Sequence, residues 1–279
     1  HYKHKMLAFH THCQLGNQMF IYSCALSLAK EKNENYCLSD LSDLNFFRLN
    51  KNENLTNYVK YTWFRISSKF KKYNFYHFQD SRLDYSKRML QNNSNNNWYY
   101  GYFQGENYFY GNEREVKNRF SIKPKYVHEF NKLKKKVIDG NDYAIVHIRL
   151  KDYEIFGPDF LNGPDLSLPM NYYHDLIKKL PSNIKVIFLS DDIEKIKNDF
   201  SYVNNAYFSK NSVIDDLQFI INANICILSC STFSWWGAWL NENKELKIYI
   251  PKFFLGFKVK KEYPINIIPP NWNQIEING

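Results

Sequence analysis

Short apolar segments alternate with helical patterns through the second half of the chain. Each apolar segment is rich in β-branched residues, and segments that stay apolar from end to end are typical of parallel strands buried on both faces. The predicted strands cover residues 143–148, 185–190, 225–229 and 247–251, and the predicted helices cover 171–180, 193–200, 213–223 and 233–241. Since each helical segment is long enough for a right-handed crossover, the pattern predicts an α/β lobe with a doubly wound parallel sheet.

The first half of the chain has a less regular pattern. Met6–His10 is a short apolar segment that predicts a strand, and Asn17 opens a long pattern of apolar residues at helical spacing. Residues 40–125 are rich in aromatic residues and asparagine and predict a helical, irregular region. Because 279 residues exceed the usual size of one core, we predict two lobes, at residues 6–136 and 141–279.

The composition predicts a folded chain with anionic partners. Hydrophobic residues make up 44% of the sequence, too many for a disordered chain, and the formal net charge is +9. This charge favours nucleic acid, an acidic membrane surface or a phosphorylated small molecule, and the sequence lacks the signature of a nucleic-acid-binding module. Two lysine clusters, at residues 132–136 and 258–261, are typical of a solvated surface, with a peripheral membrane contact as the alternative.

The spacing of cysteines and apolar residues bears on the cellular setting. The five cysteines form no CxxC pair and no cluster with histidine at zinc spacing, so we expect neither disulfides nor a structural metal. No apolar run reaches the ~18 residues of a transmembrane helix, and no segment resembles a signal peptide. We therefore expect a cytoplasmic protein, with a place at the periphery of the inner membrane as the alternative.

Polar residues follow three of the predicted strands, at the edge where parallel sheets bind ligands. The candidates are His147, Arg149 and Asp152 after the first strand, Ser190, Asp191 and Asp192 after the second, and Ser231, Thr232 and Phe233 after the third. The last group begins a helix, whose free N–H groups and positive dipole suit a diphosphate. Helix capping is the alternative role for the two aspartates after the second strand.

Arg149 and the hydroxyl-rich helix start together indicate transfer from a nucleotide sugar. Such an enzyme stabilises the charge on the leaving diphosphate with a divalent metal or with fixed cations and dipoles. The acid pairs at residues 191–192 and 215–216 stand at predicted helix starts and form no DxD motif. Arg149 offers a planar, always-charged fork for phosphate, so we predict a metal-independent glycosyltransferase.

Five segments resemble motifs of the α-1,2-fucosyltransferases, glycosyltransferase family 11. They are LGNQMF at residues 15–20, GYFQGENYF at 101–109, HIRLKDY at 147–153, SDD at 190–192 and STFSWWGAWL at 231–240. Their order along the chain agrees with that of the family. The resemblance implies a two-lobed GT-B-like fold and an inverting, metal-independent reaction. It implies GDP-β-L-fucose as the donor, the 2-hydroxyl of a galactose-containing oligosaccharide as the acceptor, and no separate cofactor.

The resemblance also implies roles for the candidate residues. Arg149 would hold the β-phosphate of the donor, and His147 with Asp191 or Asp192 would meet the guanine and ribose. The helix start at Ser231, Thr232 and Phe233 would surround the diphosphate. Asn17 and Gln18 would approach the donor from the N-terminal, acceptor-side lobe.

The general base is predicted from position in the sequence. Asp152 is the first candidate because it lies on the same loop as Arg149, and Glu154 and Asp165 are reserves. The alternative role of Asp152 is to orient Arg149 through an ion pair. Residues 154–168 contain two Gly-Pro pairs and predict either an acceptor-side lid or an exposed insertion.

Two features of the sequence leave other functions open. Leu150 and Lys151 stand where the family motif HxRRGDY has arginine and glycine, which points to a different nucleotide-sugar donor as one alternative. Tryptophan and tyrosine are abundant and can stack on sugar rings, so a glycan-binding protein without turnover is the other. A surface polysaccharide or O-antigen, assembled on a lipid-linked acceptor, is the pathway we expect.

Overall fold

A computed structural model describes residues 5–50, 53–78, 90–91, 96–138 and 142–277. The chain divides into two compact units. The N-terminal unit runs through Lys123 and takes in Pro264–Ile267, and the C-terminal unit consists of Pro124–Tyr263 and the chain from Ile268 onward. A helix at Pro124–Val137 groups with the C-terminal unit, whereas the predicted N-terminal lobe extended to residue 136.

The N-terminal unit contains a four-stranded parallel sheet with the strand order β2-β1-β4-β3. The strands are β1 (Met6–His10), β2 (Asn35–Leu38), β3 (Asn74–Phe78) and β4 (Asn97–Gly101), and the helices are α1 (Leu15–Lys32), α2 (Glu53–Ser67) and α3 (Glu113–Arg119). The prediction of a helical, irregular region at residues 40–125 missed β3 and β4. β3 mixes Asn74 and His77 with aromatic residues, and β4 combines Asn97 and Gly101 with three aromatic residues, so neither shows a run of aliphatic residues.

The helix α1 is the centre of this unit. From Leu15 to Ala29 every residue but Asn17 is buried, so the helix is enclosed on all sides. It begins at Leu15, two residues before the predicted start, and ends where Asn33 adopts a left-handed conformation with φ of 51°. This places Asn17 and Gln18 in the first turn, directly after β1 and its loop.

The C-terminal unit contains a six-stranded parallel sheet with the order β10-β9-β8-β5-β6-β7. The strands are β5 (Tyr143–Ile148), β6 (Lys185–Ser190), β7 (Ala206–Phe208), β8 (Ile225–Ile227), β9 (Lys247–Pro251) and β10 (Asn273–Ile275). The helices are α4 (Pro124–Val137), α5 (Met170–Ile177), α6 (Ile193–Asp199), α7 (Val213–Ile221) and α8 (Thr232–Leu240). The predicted doubly wound parallel sheet is confirmed, and two α/β units agree with the predicted GT-B-like class.

The strand order creates a switch point between β5 and β8. From β5 the chain adds β6 and β7 on one side, then crosses to add β8, β9 and β10 on the other. Ligands of such sheets bind at the carboxyl ends of the two strands where the winding changes direction. The geometry therefore favours the ends of β5 and β8 as the binding edge.

The prediction missed the two edge strands, β7 and β10. Each has only three residues and is not buried, so neither shows a continuous apolar run. The strand predicted at residues 225–229 ends at Ile227, and Leu228 still donates its N–H to Tyr249 of β9. Ser229 thus lies just beyond the strand, at the binding edge.

Close packing of two helices anchors the last motif. Trp235 and Trp236 are fully buried on α8, so both belong to the core. A Cβ atom on Gly237 would lie 2.6 Å from the side chain of Ile220 on α7, which explains why glycine stands there. No helix among the described residues is long and apolar enough to cross a membrane.

Candidate active site

Arg149 is held by two carboxylates just after β5. A short 3₁₀ turn at Lys151–Glu154 brings Asp152 back to it, and both carboxylate oxygens accept bonds of 2.8 Å, from Nε and Nη2 of Arg149. Nε also lies 3.4 Å from Oδ2 of Asp191, which follows β6. The other oxygen of Asp191 accepts the backbone N–H of Leu150 at 2.9 Å. The guanidinium is therefore fixed between the ends of two neighbouring strands.

The two aspartates after β6 do different things. Asp191 faces Arg149, whereas the side chain of Asp192 caps α6 by accepting the N–H of Lys195. Ser190 pairs with Ile148 in the sheet register, and its hydroxyl accepts the N–H of Asp192 at 3.1 Å. Among the described residues, no group of three or more His, Cys, Asp or Glu side chains is arranged to hold a metal ion.

His147 and Ser229 join the two strands of the switch point. Nδ1 of His147 and Oγ of Ser229 lie 2.8 Å apart, and both side chains are buried. Burial, and then the charge of Arg149, lower the pKa of His147 from 6.5 to about 3, so the ring is neutral at neutral pH. The ring centroid of Phe233 lies 5.8 Å from that of His147. Ser229 ends a strand predicted from the sequence but was not among the predicted site residues.

The start of α8 presents unpaired backbone groups at the same edge. Ser231 is the N-cap in an extended conformation, and its side chain makes no capping hydrogen bond. Trp235 is the first helical residue to donate back to Ser231, which leaves the N–H groups of Thr232 and Phe233 outside the intrahelical ladder. Both residues are partly exposed. Such a helix start, with its positive dipole end, suits an anionic group.

Tyr153 connects the loop after β5 to the residue before α8. Its hydroxyl donates to the carbonyl oxygen of Cys230 at 2.8 Å, and the guanidinium carbon of Arg149 lies 5.8 Å from its ring centroid. Tyr172 of α5 makes a similar contact to the carbonyl of Leu228 at 3.0 Å. Sequence reasoning missed both tyrosines, although Tyr153 is the last residue of the HIRLKDY motif.

The segment 154–168 is anchored to the C-terminal unit and exposes apolar side chains. Leu161 and Leu166 are buried, and the N–H of Leu166 donates to the carbonyl of Tyr153 at 2.6 Å. In contrast, Ile155 and Phe156 are 79% and 61% exposed, and the ring of Phe156 stacks beside Tyr153 at 6.4 Å. The segment is therefore a packed loop, and the exposed side chains of Ile155 and Phe156 form an apolar lip beside Tyr153.

The reserve carboxylates on this segment both have local partners. Glu154 accepts a bond of 2.7 Å from Nζ of Lys195. Asp165 accepts the N–H of Ser167 at 2.8 Å and its hydroxyl at 2.5 Å, which closes a turn. Asp152 is the carboxylate among these three that contacts Arg149.

In the N-terminal unit, two resemblance motifs are in direct contact. Oδ1 of Asn17 accepts a bond of 2.7 Å from the side-chain amide of Gln104. Gln18 is 6% exposed, and its amide nitrogen donates to the carbonyl of Cys13 at 3.0 Å and to Oδ2 of Asp43 at 2.8 Å. Gln18 thus shapes the loop after β1, and Asn17 is half-buried beside it. Contact of Asn17 and Gln18 with a donor stays a prediction.

A ring cluster that sequence reasoning missed lies at the carboxyl edge of this first sheet. His12 stacks on Tyr100 with 4.6 Å between centroids and 4° between planes, and His10 stacks on the same ring at 5.1 Å. Burial lowers the pKa of His12 from its ordinary value. The available signal was the spacing of His10 and His12, two residues apart at the end of β1, together with Tyr100 in β4.

Comparison with known proteins identifies the family. The profile of Glycosyl transferase family 11 matches residues 1–276. An α-1,2-colitosyltransferase of Escherichia coli is 29% identical over 94% of this chain and 96% of its own length. The O-antigen biosynthesis glycosyltransferase WbnK of Escherichia coli is 30% identical over 44% of this chain and 43% of its own length.

Solved structures agree with this assignment at the level of fold. The fucosyltransferase NodZ from Bradyrhizobium matches 85% of this chain and 92% of its own, with a TM-score of 0.57 and 12% identity. This likeness confirms the GT-B-like fold class predicted from the sequence. Because the family model matches nearly the whole length of the chain, the chain belongs to glycosyltransferase family 11.

Proposed function

We propose that the protein transfers L-fucose from GDP-β-L-fucose to the 2-hydroxyl of a galactoside, with inversion and without a metal. The observation that carries the proposal is the position of Arg149. It is fixed between Asp152 and Asp191, next to the switch point at which sheets of this type bind nucleotides. Family membership supports glycosyl transfer, and the strand-end geometry supports a nucleotide donor.

The donor diphosphate is proposed to bind between Arg149 and the start of α8. When the glycosidic bond breaks, the leaving GDP keeps the electron pair and its β-phosphate gains negative charge. Arg149 would meet this charge with a planar fork, and the free N–H groups of Thr232 and Phe233 would meet it with fixed dipoles. Neutral His147, tied to Ser229, would border the nucleoside without adding charge.

The acceptor step requires a base. The acceptor oxygen would attack the anomeric carbon from the face opposite GDP, turning the β linkage into an α linkage. We propose that Asp152 takes the proton of that hydroxyl. Its two hydrogen bonds to Arg149 also give direct support to the alternative role, in which Asp152 only orients the guanidinium.

Two observations support colitose as an alternative donor sugar. The relative that aligns with 94% of this chain is named a colitosyltransferase. Leu150 is 2% exposed in this chain, and Lys151 is exposed, so the cation that the family motif has at position 150 is absent there. Colitosyl transfer by the same site is therefore the second candidate function.

The acceptor is proposed to be a galactose-containing glycan on a lipid carrier, built for an O-antigen or another surface polysaccharide. The relative WbnK is named for O-antigen biosynthesis, which supports this pathway. The apolar lip of Ile155 and Phe156, beside Tyr153, would contact the acceptor sugar. We place the enzyme in the cytoplasm, where nucleotide sugars are available.

A donor panel tests the proposal. The protein is incubated in EDTA with GDP-fucose, GDP-colitose or UDP-galactose and a galactoside acceptor, and the products are analysed by mass spectrometry and NMR. An α-1,2-fucosylated product supports the proposal, and an α-1,2-colitosylated product supports the second candidate. Binding of glycan without transfer from any donor would replace both by a glycan-binding role. Strict dependence on added magnesium would contradict the metal-independent mechanism.

A further inference from the structure

The helix α2 exposes a broad apolar face. Leu55, Tyr58, Val59 and Ile66 are between 57% and 68% exposed, and Trp63 is 39% exposed. At 100° per residue, Leu55, Val59 and Ile66 form one stripe along the helix, with Tyr58 and Trp63 on its two sides. Phe70, in the turn after the helix, is 84% exposed and continues the stripe. Large apolar side chains gathered in this way mark an interaction surface.

The opposite face of α2 packs against the sheet of the N-terminal unit. Asn57 exchanges two hydrogen bonds with the backbone of Leu38, at 2.8 and 2.9 Å, and pins the helix to β2. Phe64 is buried in a cluster with Met6, Ala8 and Cys37. The outward stripe is therefore not needed to cover the sheet.

The chain around this stripe is positively charged. Residues 54–78 contain no Asp or Glu and carry five cations, Lys60, Arg65, Lys69, Lys71 and Lys72. Nζ of Lys71 lies 5.2 Å from the ring centroid of Trp63, so a cation sits directly at the margin of the apolar stripe. Glu53, the one acid of the helix, accepts a bond from Tyr36 and pairs with Arg119.

We propose that the outward face of α2, with the turn to Lys72, is a docking surface for a membrane that contains anionic lipids. A helix with a wide apolar stripe and a basic margin lies in the plane of the interface, with its apolar side chains among the acyl chains. Tryptophan and tyrosine at the sides of the stripe suit the headgroup level. The cations would pair with lipid phosphates at the membrane surface.

Charge complementarity favours a membrane over a second copy of the chain. In a two-fold interface the same patch meets itself, so the five cations would face one another with no acid from residues 54–78 to pair with them. An anionic bilayer removes this repulsion and covers the apolar stripe at the same time. The inference does not depend on the proposed transferase reaction.

This surface differs from the lysine clusters that the sequence suggested. Each of the two lysine clusters is accompanied by one exposed large apolar side chain. For the cluster at 132–136 it is Val127 on the same helix, and for the cluster at 258–261 it is Val259 within the cluster. A cluster of lysines with one apolar neighbour is typical of a solvated surface. The outward face of α2 and the turn after it combine six exposed apolar side chains with a basic margin.

Vesicle binding without any nucleotide sugar tests the proposal. The protein is sedimented with vesicles of phosphatidylcholine alone or of phosphatidylcholine mixed with phosphatidylglycerol. The expected result is binding to the mixed vesicles that weakens as salt is added. The double variant Val59→Glu/Ile66→Glu should lose at least about tenfold in affinity, because two side chains no longer enter the apolar layer. Val127→Glu on α4 is the matched control and should bind like the wild type.

Further measurements distinguish an anionic membrane from a second copy of the chain as the partner of this face of α2. A variant with Lys69, Lys71 and Lys72 all changed to Gln should lose the preference for anionic vesicles and keep its circular dichroism and melting temperature. Equal binding of the wild type and the folded Val59→Glu/Ile66→Glu variant, or no vesicle binding at all, would overturn the proposal. A wild-type dimer in analytical ultracentrifugation that this double variant abolishes would assign the face to a second copy instead.

Discussion

A 2.8 Å hydrogen bond between Nδ1 of His147 and Oγ of Ser229 crosses the point where the sheet of the C-terminal unit changes its direction of winding. His147 lies on β5 and Ser229 follows β8, so one contact joins the two halves of the doubly wound sheet. Both side chains are buried, and the bond satisfies two polar groups that would otherwise be costly there. The edge at which a nucleotide is proposed to bind is thus built on rigid strand ends.

Two variants of Arg149 should distinguish the contribution of its positive charge from that of its planar guanidinium group. Arg149→Ala is expected to reduce GDP affinity and turnover, with kcat falling about 10²- to 10³-fold, because the leaving phosphate loses its fixed cation. Arg149→Lys should fall between Ala and the wild type, since a point charge lacks the planar fork. Calorimetry with GDP in EDTA and a transfer assay measure both effects. The exposed Arg114→Ala on α3 is the control, and unchanged GDP affinity in Arg149→Ala would contradict the assignment.

Asp152→Asn should distinguish catalysis from orientation. If Asp152 is the base, kcat falls by about 10²- to 10⁴-fold while the Kd for GDP changes little, because Asp191 still contacts Arg149 at 3.4 Å. Single-turnover kinetics and calorimetry give the two quantities. A parallel loss of GDP affinity and turnover would show that Asp152 positions Arg149. Near-normal turnover would show that Asp152 is neither the base nor needed to position Arg149.

Two titratable groups should give the stability opposite pH dependences. Burial lowers the pKa of His147 to about 3, so the unfolded chain binds more protons from about pH 3 to 6.5, and stability is lost as the pH falls through that range. Burial raises the pKa of Asp216 from 3.8 to about 7, although Ser209 donates to it at 2.5 Å. The folded chain then binds more protons between these values, and stability is lost as the pH rises.

Removing one of these two groups should expose the effect of the other on how the free energy of unfolding changes with pH. In Asp216→Asn, the free energy of unfolding should rise with pH up to about 6.5, by at most about 1.4 kcal/mol per pH unit. In His147→Gln it should fall with rising pH up to about 7. Urea unfolding followed by circular dichroism from about pH 4 to about pH 8 measures both, with the exposed Asp175→Asn as control. The same slope in both variants would contradict this account.

Phe156 should affect the acceptor and leave the donor unchanged. Its ring is 61% exposed beside Tyr153, so it can be covered by an acceptor sugar without a change in the loop. Phe156→Ala is expected to raise the acceptor KM about tenfold, which corresponds to the burial of one large apolar side chain. GDP affinity should not change. Tyr110→Ala, 75% exposed in the N-terminal unit, is the control, and an unchanged acceptor KM for Phe156→Ala would show that the lip does not contact the acceptor.

The sequence alone predicted those helices and strands in which the pattern of apolar residues reflects burial in the fold. Continuous apolar runs identified β5, β6 and β9 with their observed bounds, and the predicted helices of the C-terminal unit lie within three residues of the observed ones. Residue order along these strands also placed Arg149, Asp191 and Ser231 at one edge of the sheet. Strands whose side chains are mixed or half-exposed, such as β3, β4, β7 and β10, gave no such signal.

Only the tertiary structure decided which polar groups meet. Asp191 receives the N–H of Leu150 across 41 residues, and His147 meets Ser229 across 82 residues. Periodicity describes the environment of one element and contains no information about its partner, because strand order is set when distant segments pair. The same limit hid the apolar face of α2, since the pattern shows that a residue is apolar, and only packing decides whether the protein covers it.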